Sequence, residues 1–301
     1  MDIFLIGLIA ATLRVATPLI LGTLGELFCE RAGILNLGIE GIMFFGAFAG
    51  FAAAAASGSL CVLAAIVAGA LAGLLMALFA VQLGVNQHVS GLGITLLLTG
   101  LSLFGFRLIF GEPRVPPSIP PFGQVSPFGE TPILGPIFEQ YALTYLTLAI
   151  VPAVWWVLYR TSFGLQIRAV GENPEAADAA GVSVYRVRYT ALMIGGGLMG
   201  AAGAFLSLAQ LGAFTYGIIA GRGWVCIALI IFGNWEPVKV LWGALLFGGV
   251  FALQLRLQTT GLKLPYETFL ALPYIVTIVA LTLAGRNASY PAALLKPYKR
   301  E

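Results

Sequence analysis

Apolar blocks long enough to cross a lipid bilayer recur along the whole chain, at roughly 3–24, 60–83, 89–110, 140–159, 189–211, 239–257 and 266–284. A helix needs about 20 apolar residues to cross a hydrocarbon core roughly 30 Å thick. A soluble domain of this length could not bury so many. Composition agrees: 59% of the residues are hydrophobic, 10% are charged, and the mean hydropathy is +0.95. The expectation is an all-α fold: one polytopic transmembrane helical bundle over residues 1–301, with about eight to ten spans, some of them broken. The 38 glycines suit helices packed closely in a membrane. The chain opens Met-Asp without a basic stretch, which reads as a first span and not as a cleavable signal. Cys29, Cys61 and Cys226 lie in or beside apolar runs with no metal-ligand spacing, so they read as small core residues.

The interruptions between blocks carry more information. The stretch GELFCERAGILNLGIEG (25–41) holds Glu26, Glu30, Arg31, Asn36 and Glu40 and runs directly into an apolar helix. The segment 212–237 has only a short apolar core, WVCIALIIFG, opened by Gly221–Arg222–Gly223. Each half of the chain therefore holds one charged, Gly-interrupted, short helical element, at 25–41 and 217–237. Paired broken helices point to a transport path near the midplane. Residues 111–138 contain eight prolines and are expected to form an external loop.

The longest polar stretch of the second half is 160–188. It carries Arg160, Arg168, Arg186 and Arg188 with Glu172, Glu175 and Asp178. Within it, Asn173–Pro174 reads as an N-cap followed by proline at the first helical position. Glu175 and Asp178 fall where the helix dipole favours negative charge, and Gly181 fits the C-terminal cap. A short capped helix on a charged loop suits docking outside the membrane; a merely helical connector is the plainer reading. This loop and the tail from Arg286 each hold four Lys or Arg, which places both in the cytoplasm. The 111–138 loop holds only Arg114 and fits the outside, and counting back places Met1 outside as well.

The chain contains no G-x-x-x-x-G-K-[ST] phosphate loop and no Ser/His/Asp set, and its one histidine, His88, excludes a His-rich metal site. No catalytic residue or metal site is expected, and energy for transport must come from a partner or an ion gradient. Asn36 and Glu40 would share a face if both were helical. An ionisable group in apolar surroundings usually faces a cavity or a partner. Glu40 therefore reads either as a pathway residue or as an ion pair with Arg31 or a helix cap. Arg222 faces a pathway or snorkels to an interface. Asn86, Gln87 and His88 read as an interfacial loop more than as a vestibule. The sequon Asn287-Ala288-Ser289 falls on the expected cytoplasmic side.

ERAGILNLGIEGIMFFGAF, GLQIRAVGENPEAADAAGVSVYRVR and GRGWVCIALIIFGNWEP together resemble the permease subunits of bacterial ABC importers. The resemblance is to the branch serving nucleosides and simple sugars, related to ribose and branched-chain amino-acid permeases, and it spans essentially the whole chain. Relative to that pattern the chain is short at its N-terminus. The resemblance implies a multi-pass protein of the bacterial inner or plasma membrane. It implies a second permease subunit, a cytoplasmic ABC ATPase that binds the ATP, and an extracytoplasmic substrate-binding protein; nucleic acid has no role. By motif, ATPase docking falls to Gly171, Glu172, Asn173, Pro174, Ala176, Ala177 and Gly181, within the coupling loop at 160–188. The pathway is expected around Asn36, Glu40 and Arg222. The alternatives are a branched-chain amino-acid ABC permease and an ATPase-independent carrier or channel. A membrane enzyme is disfavoured.

Overall fold

A computed structural model describes residues 2–58, 60–111, 117–126, 135–258, 266–284 and 289–299. Arg114, Arg286, Arg300 and the first two sequon positions lie outside the described residues, as does part of the 111–138 loop. In chain order the helices are α1 (Asp2–Arg31), α2 (Ile39–Ser57), α3 (Cys61–Ala77, ending in a π-helical turn Leu78–Gln82), α4 (Gln87–Phe110), α5 (Gly135–Phe138), α6 (Ala142–Arg160), α7 (Ser162–Glu172), α8 (Pro174–Ala179), α9 (Val184–Ala204, ending in a π-helical stretch Phe205–Leu211), α10 (Arg222–Phe232), α11 (Pro237–Gln258) and α12 (Tyr266–Ala284). A two-residue antiparallel pair, β1 (Gln124–Val125) with β2 (Gln140–Tyr141), closes the 111–138 loop.

Among the described residues, seven helices are long and apolar enough to span a membrane: α1, α2, α3, α4, α6, α9 and α11. α12 adds a further helix of 19 residues. The protein is a multi-pass helical bundle. Pro18 and Pro152 sit inside α1 and α6, as bundles tolerate where neighbouring groups compensate for the lost hydrogen bond.

α9 is the central helix, packed on by α1, α2 and α3. Glycine explains how four helices come so close. Gly69 and Gly73 on α3 face Gly196 and Gly200 on α9, and Gly46 on α2 approaches Gly200 from another side. A Cβ at Gly69 would overlap the carbonyl oxygen of Gly196, and one at Gly203 would overlap that of Met43. Small residues four apart make this backbone-to-backbone seam possible. Cys29, Cys61 and Cys226 are free and buried.

Two boundaries differ from expectation. α1 stays helical through Arg31, so only 32–38 is broken, not all of 25–41. The charges that suggested an earlier break find donors inside the protein. Glu26 accepts the Asn36 amide (2.7 Å) and Glu30 accepts the Trp235 indole N–H (2.6 Å). The stretch 160–188 is likewise more helical than a loop: α7 and α8 lie within it and α9 begins at Val184. Arg188, read as a loop charge, is buried on α9, where its Nε donates to the Ala32 carbonyl (3.1 Å).

The 160–188 segment and the tail meet at one end of the bundle, here called the basic end. The Ala293 amide donates to the Gly171 carbonyl (2.8 Å), and the Tyr298 ring packs 5.9 Å from Tyr185. The described residues 117–126 lie at the opposite end, where Ser118 bridges to Ala213 after α9.

Candidate functional site

α10 has eleven residues, about 16 Å of helix at 1.5 Å per residue, roughly half a hydrocarbon core. Its C-terminal end sits at the basic end beside the end of α1. There Arg31 donates through Nε (3.0 Å) and a terminal nitrogen (2.7 Å) to the Trp235 carbonyl, and Glu30 takes the Trp235 indole. Asn234 and Trp235 hold left-handed backbone, φ 47° and 56°, to make this turn. The N-terminal end of α10 stops inside the bundle, against the first turn of α2. The Glu40 carboxylate accepts the amides of Gly221 (2.8 Å, Oε1) and Gly223 (2.8 Å, Oε2). A negative group at the N-terminus of a helix satisfies its orphan amides and its dipole together. Gly223 has no alternative here, because a Cβ would lie 2.8 Å from the Glu40 backbone.

The rest of that crossing, 212–221, is non-helical. It runs from Gly212, whose carbonyl accepts the Ile119 amide (2.8 Å), down to Gly221 at Glu40. Phe214 is packed on the way among Phe44, Phe48 and Phe106, with ring centroids 4.9, 5.7 and 5.4 Å away. Arg222 turns back and donates to the Ile218 (3.1 Å) and Ile219 (3.0 Å) carbonyls. Tyr216, Gly217, Ala220 and Trp224 stay exposed on the outer face of this segment. Non-helical backbone survives at membrane depth only against protein or water, never against lipid.

The two interrupted elements therefore do meet, and each of the three candidate pathway residues has protein partners there. Asn36 is fully buried and precedes α2, so it shares no helix face with Glu40; its Oδ1 accepts the Gly38 amide (3.0 Å) and shapes the 32–38 break. Glu40 caps α10 and forms no pair with Arg31, whose guanidinium is taken by Trp235 and Tyr159. Arg222 braces its own turn and lies over the Phe251 ring at 5.7 Å. The exposed neighbours Tyr216 and Trp224 were missed. A tyrosine and a tryptophan flanking Gly217 and Gly221 in a segment too short to span were the available signal. Asn86 caps α4 through the His88 (2.9 Å) and Val89 (3.4 Å) amides, and Gln87 holds the Leu35 amide (2.8 Å).

At the basic end, α8 is built as its sequence indicates. Asn173 Oδ1 accepts the Ala176 amide (2.9 Å), Pro174 takes the first position, and Gly181 is left-handed at φ 85°. The Gly181 and Val182 amides return to Asp178 (2.9 Å) and Ala177 (3.0 Å), the paired bonds that close a helix on a left-handed glycine. The seven docking candidates separate into two sets. Glu172, Asn173, Ala176 and Gly181 are exposed; Gly171, Pro174 and Ala177 face inward. Gly171 is there because its Cα presses on the Arg31 carbonyl, where a Cβ would overlap it.

Residues 8–281 match the family described as branched-chain amino acid transport system / permease component. The chain belongs to this permease family. The permease is 41% identical to a putative glucose ABC transporter permease protein of Haloferax volcanii, with 99% of each chain covered. It is 39% identical to a guanosine ABC transporter permease protein of Bacillus subtilis, covering 97% of this chain and 96% of the other. It is 36% identical to a nucleoside ABC transporter permease protein of Lactococcus lactis, covering 95% and 94%. No solved structure matches the permease.

Proposed function

We propose that this permease is the membrane-spanning subunit of an ATP-driven importer for a nucleoside or simple sugar. The observation that carries this reading is full-length similarity to permeases named for guanosine, nucleoside and glucose transport. In this reading a cytoplasmic ABC ATPase binds the ATP and grips α8 through Glu172, Asn173, Ala176 and Gly181. A second permease subunit faces the half-helix, and an extracytoplasmic binding protein delivers the solute at the opposite end. Nucleotide-driven closure of the ATPase then moves α8 and rocks the permease between two packings.

The solute route is assigned to the exposed face of 216–224. A nucleoside or sugar is neutral and rich in hydroxyls, so exposed backbone and aromatic rings suit it. A branched-chain amino acid would ask for charge partners, and the nearest charges, Glu40 and Arg222, are already taken by backbone groups. Weak contacts along the route suit a solute that must leave, so selectivity belongs mainly to the binding protein.

The test is uptake by proteoliposomes containing the permease, its ATPase and its binding protein, with labelled guanosine, glucose and leucine compared. ATP-dependent accumulation of guanosine or glucose is expected. Leucine accumulation would move the assignment to the amino-acid branch, and accumulation without ATP would make the protein an ATPase-independent carrier.

A further inference from the structure

The tail segment 289–299 has no part in the import reading so far, yet it is tied into the bundle at both ends. At one end, the Ala293 amide donates to the Gly171 carbonyl (2.8 Å) and the Ala292 amide to the Glu172 carboxylate (3.3 Å). Both acceptors lie in the last turn of α7, immediately before the Asn173 cap of α8. At the other end, the Ser289 amide donates to Asn234 Oδ1 (2.8 Å). Asn234 belongs to the turn that ends α10 and precedes Trp235, the residue clamped by Glu30 and Arg31. Ala293 and Tyr298 are buried, so the segment is part of the packed structure and not a loose end.

We propose that this tail segment is a positioning strap, through which displacement of the α8 docking helix is delivered to the half-helix α10 by way of Asn234. The physical case is a continuous chain of hydrogen bonds. It runs from the base of α8 to the strap, from the strap to the turn after α10, and along α10 to the Glu40 cap that faces the solute segment. α10 is the element suited to receive such a push, being short and anchored at its inner end by one carboxylate. The seam of α3 on α9 is unsuited, because its backbones are already in contact. A second path from α8 exists where Gly171 presses on the end of α1. The strap is distinct from that path in needing a side-chain acceptor at position 234. The proposal rests on the import reading given above.

The test uses the permease assembled with its ATPase and binding protein in proteoliposomes, with solute uptake and ATP hydrolysis read on the same sample. Asn234→Gly removes the acceptor while tolerating left-handed backbone. Asn234→Asp keeps an acceptor and also tolerates it. Deletion of 289–301 removes the strap. Asn234→Gly should keep ATP hydrolysis and lower the uptake per ATP about fivefold, the equivalent of one hydrogen bond. The deletion should lower it at least as far, Asn234→Asp should retain the wild-type ratio, and combining Asn234→Gly with the deletion should add nothing. A wild-type ratio in both Asn234→Gly and the deletion overturns the strap. Equal loss in Asn234→Asp and Asn234→Gly overturns it as well, because the acceptor is then irrelevant. If the wild type shows no ATP-driven uptake, the import reading falls separately. The strap is then read from amide exchange: faster exchange across 222–236 in the deletion supports the linkage, and unchanged exchange overturns it.

Discussion

Glu40 offers the sharpest test of the site, because one side chain holds two elements together. In Glu40→Ala the amides of Gly221 and Gly223 both lose their acceptor. Each bond to a charged group contributes about 1.5–3 kcal/mol, so the expected loss is roughly 3–6 kcal/mol. Glu40→Gln keeps one acceptor oxygen and turns an NH2 toward the other amide, so about half that loss is expected. Melting of the purified permease in detergent is the assay, with uptake measured in parallel. At roughly 2–4 °C per kcal/mol for chains near this size, Glu40→Ala should melt at least about 6 °C lower and Glu40→Gln about half as far. If the proposed route holds, uptake should fall in the same order, since the 212–221 segment loses its anchor. An unchanged melting temperature in Glu40→Ala would refute the capping role. Normal melting with abolished uptake would return Glu40 to the pathway.

Four further outcomes follow from the geometry. Ala176→Arg should abolish ATPase association while changing stability by less than about 0.5 kcal/mol, whereas Ala177→Arg, at a buried position, should lose the fold before docking can be scored; pull-down and melting separate the two. Asn173→Ala should cost about 1 kcal/mol of local helix stability, read as faster amide exchange within 174–179. Gly203→Ala should lower expression of folded permease severely, because its methyl has no room beside the Met43 carbonyl; normal melting of that variant would disprove the seam. Single cysteines at the exposed positions Ser118 and Ser183, with the three native cysteines replaced, should react with an impermeant thiol reagent on intact cells at 118 only; labelling at 183 would invert the orientation.

The sequence was informative where a feature is written locally. The apolar blocks, the Asn173–Pro174 start, the Gly181 stop and the shortness of α10 need only neighbouring residues to be read. What escaped depends on residues far apart in the chain. Glu26 and Glu30 resembled a break because their donors, the Asn36 amide and the Trp235 indole, come from other segments. Glu40 could be assigned to Arg31 only while Trp235 and Gly221–Gly223 were out of sight. Ala177 and Gly171 match a docking motif as well as their exposed neighbours do, and only the packing of α8 on the bundle shows which side they take. Residues 289–299 look like a plain basic tail because the hydrogen bonds that hold Ser289, Ala292 and Ala293 are donated by backbone amides, which leave no trace in side-chain pattern, and the partner of the Tyr298 ring, Tyr185, is far away in the chain.

The contact between α3 and α9 has a mechanical consequence. Where side chains separate two helices, rotamer changes let one slide or roll on the other. At Gly69, Gly73, Gly196 and Gly200 there are no rotamers to change, so the two helices behave as a single girder, with α2 keyed into it at Gly46. A rigid girder concentrates deformation in whatever is jointed to it. In this molecule the joints are the 32–38 break and the 212–221 segment, which sit on either side of Glu40. In the import reading, bending is expected at these two joints beside Glu40.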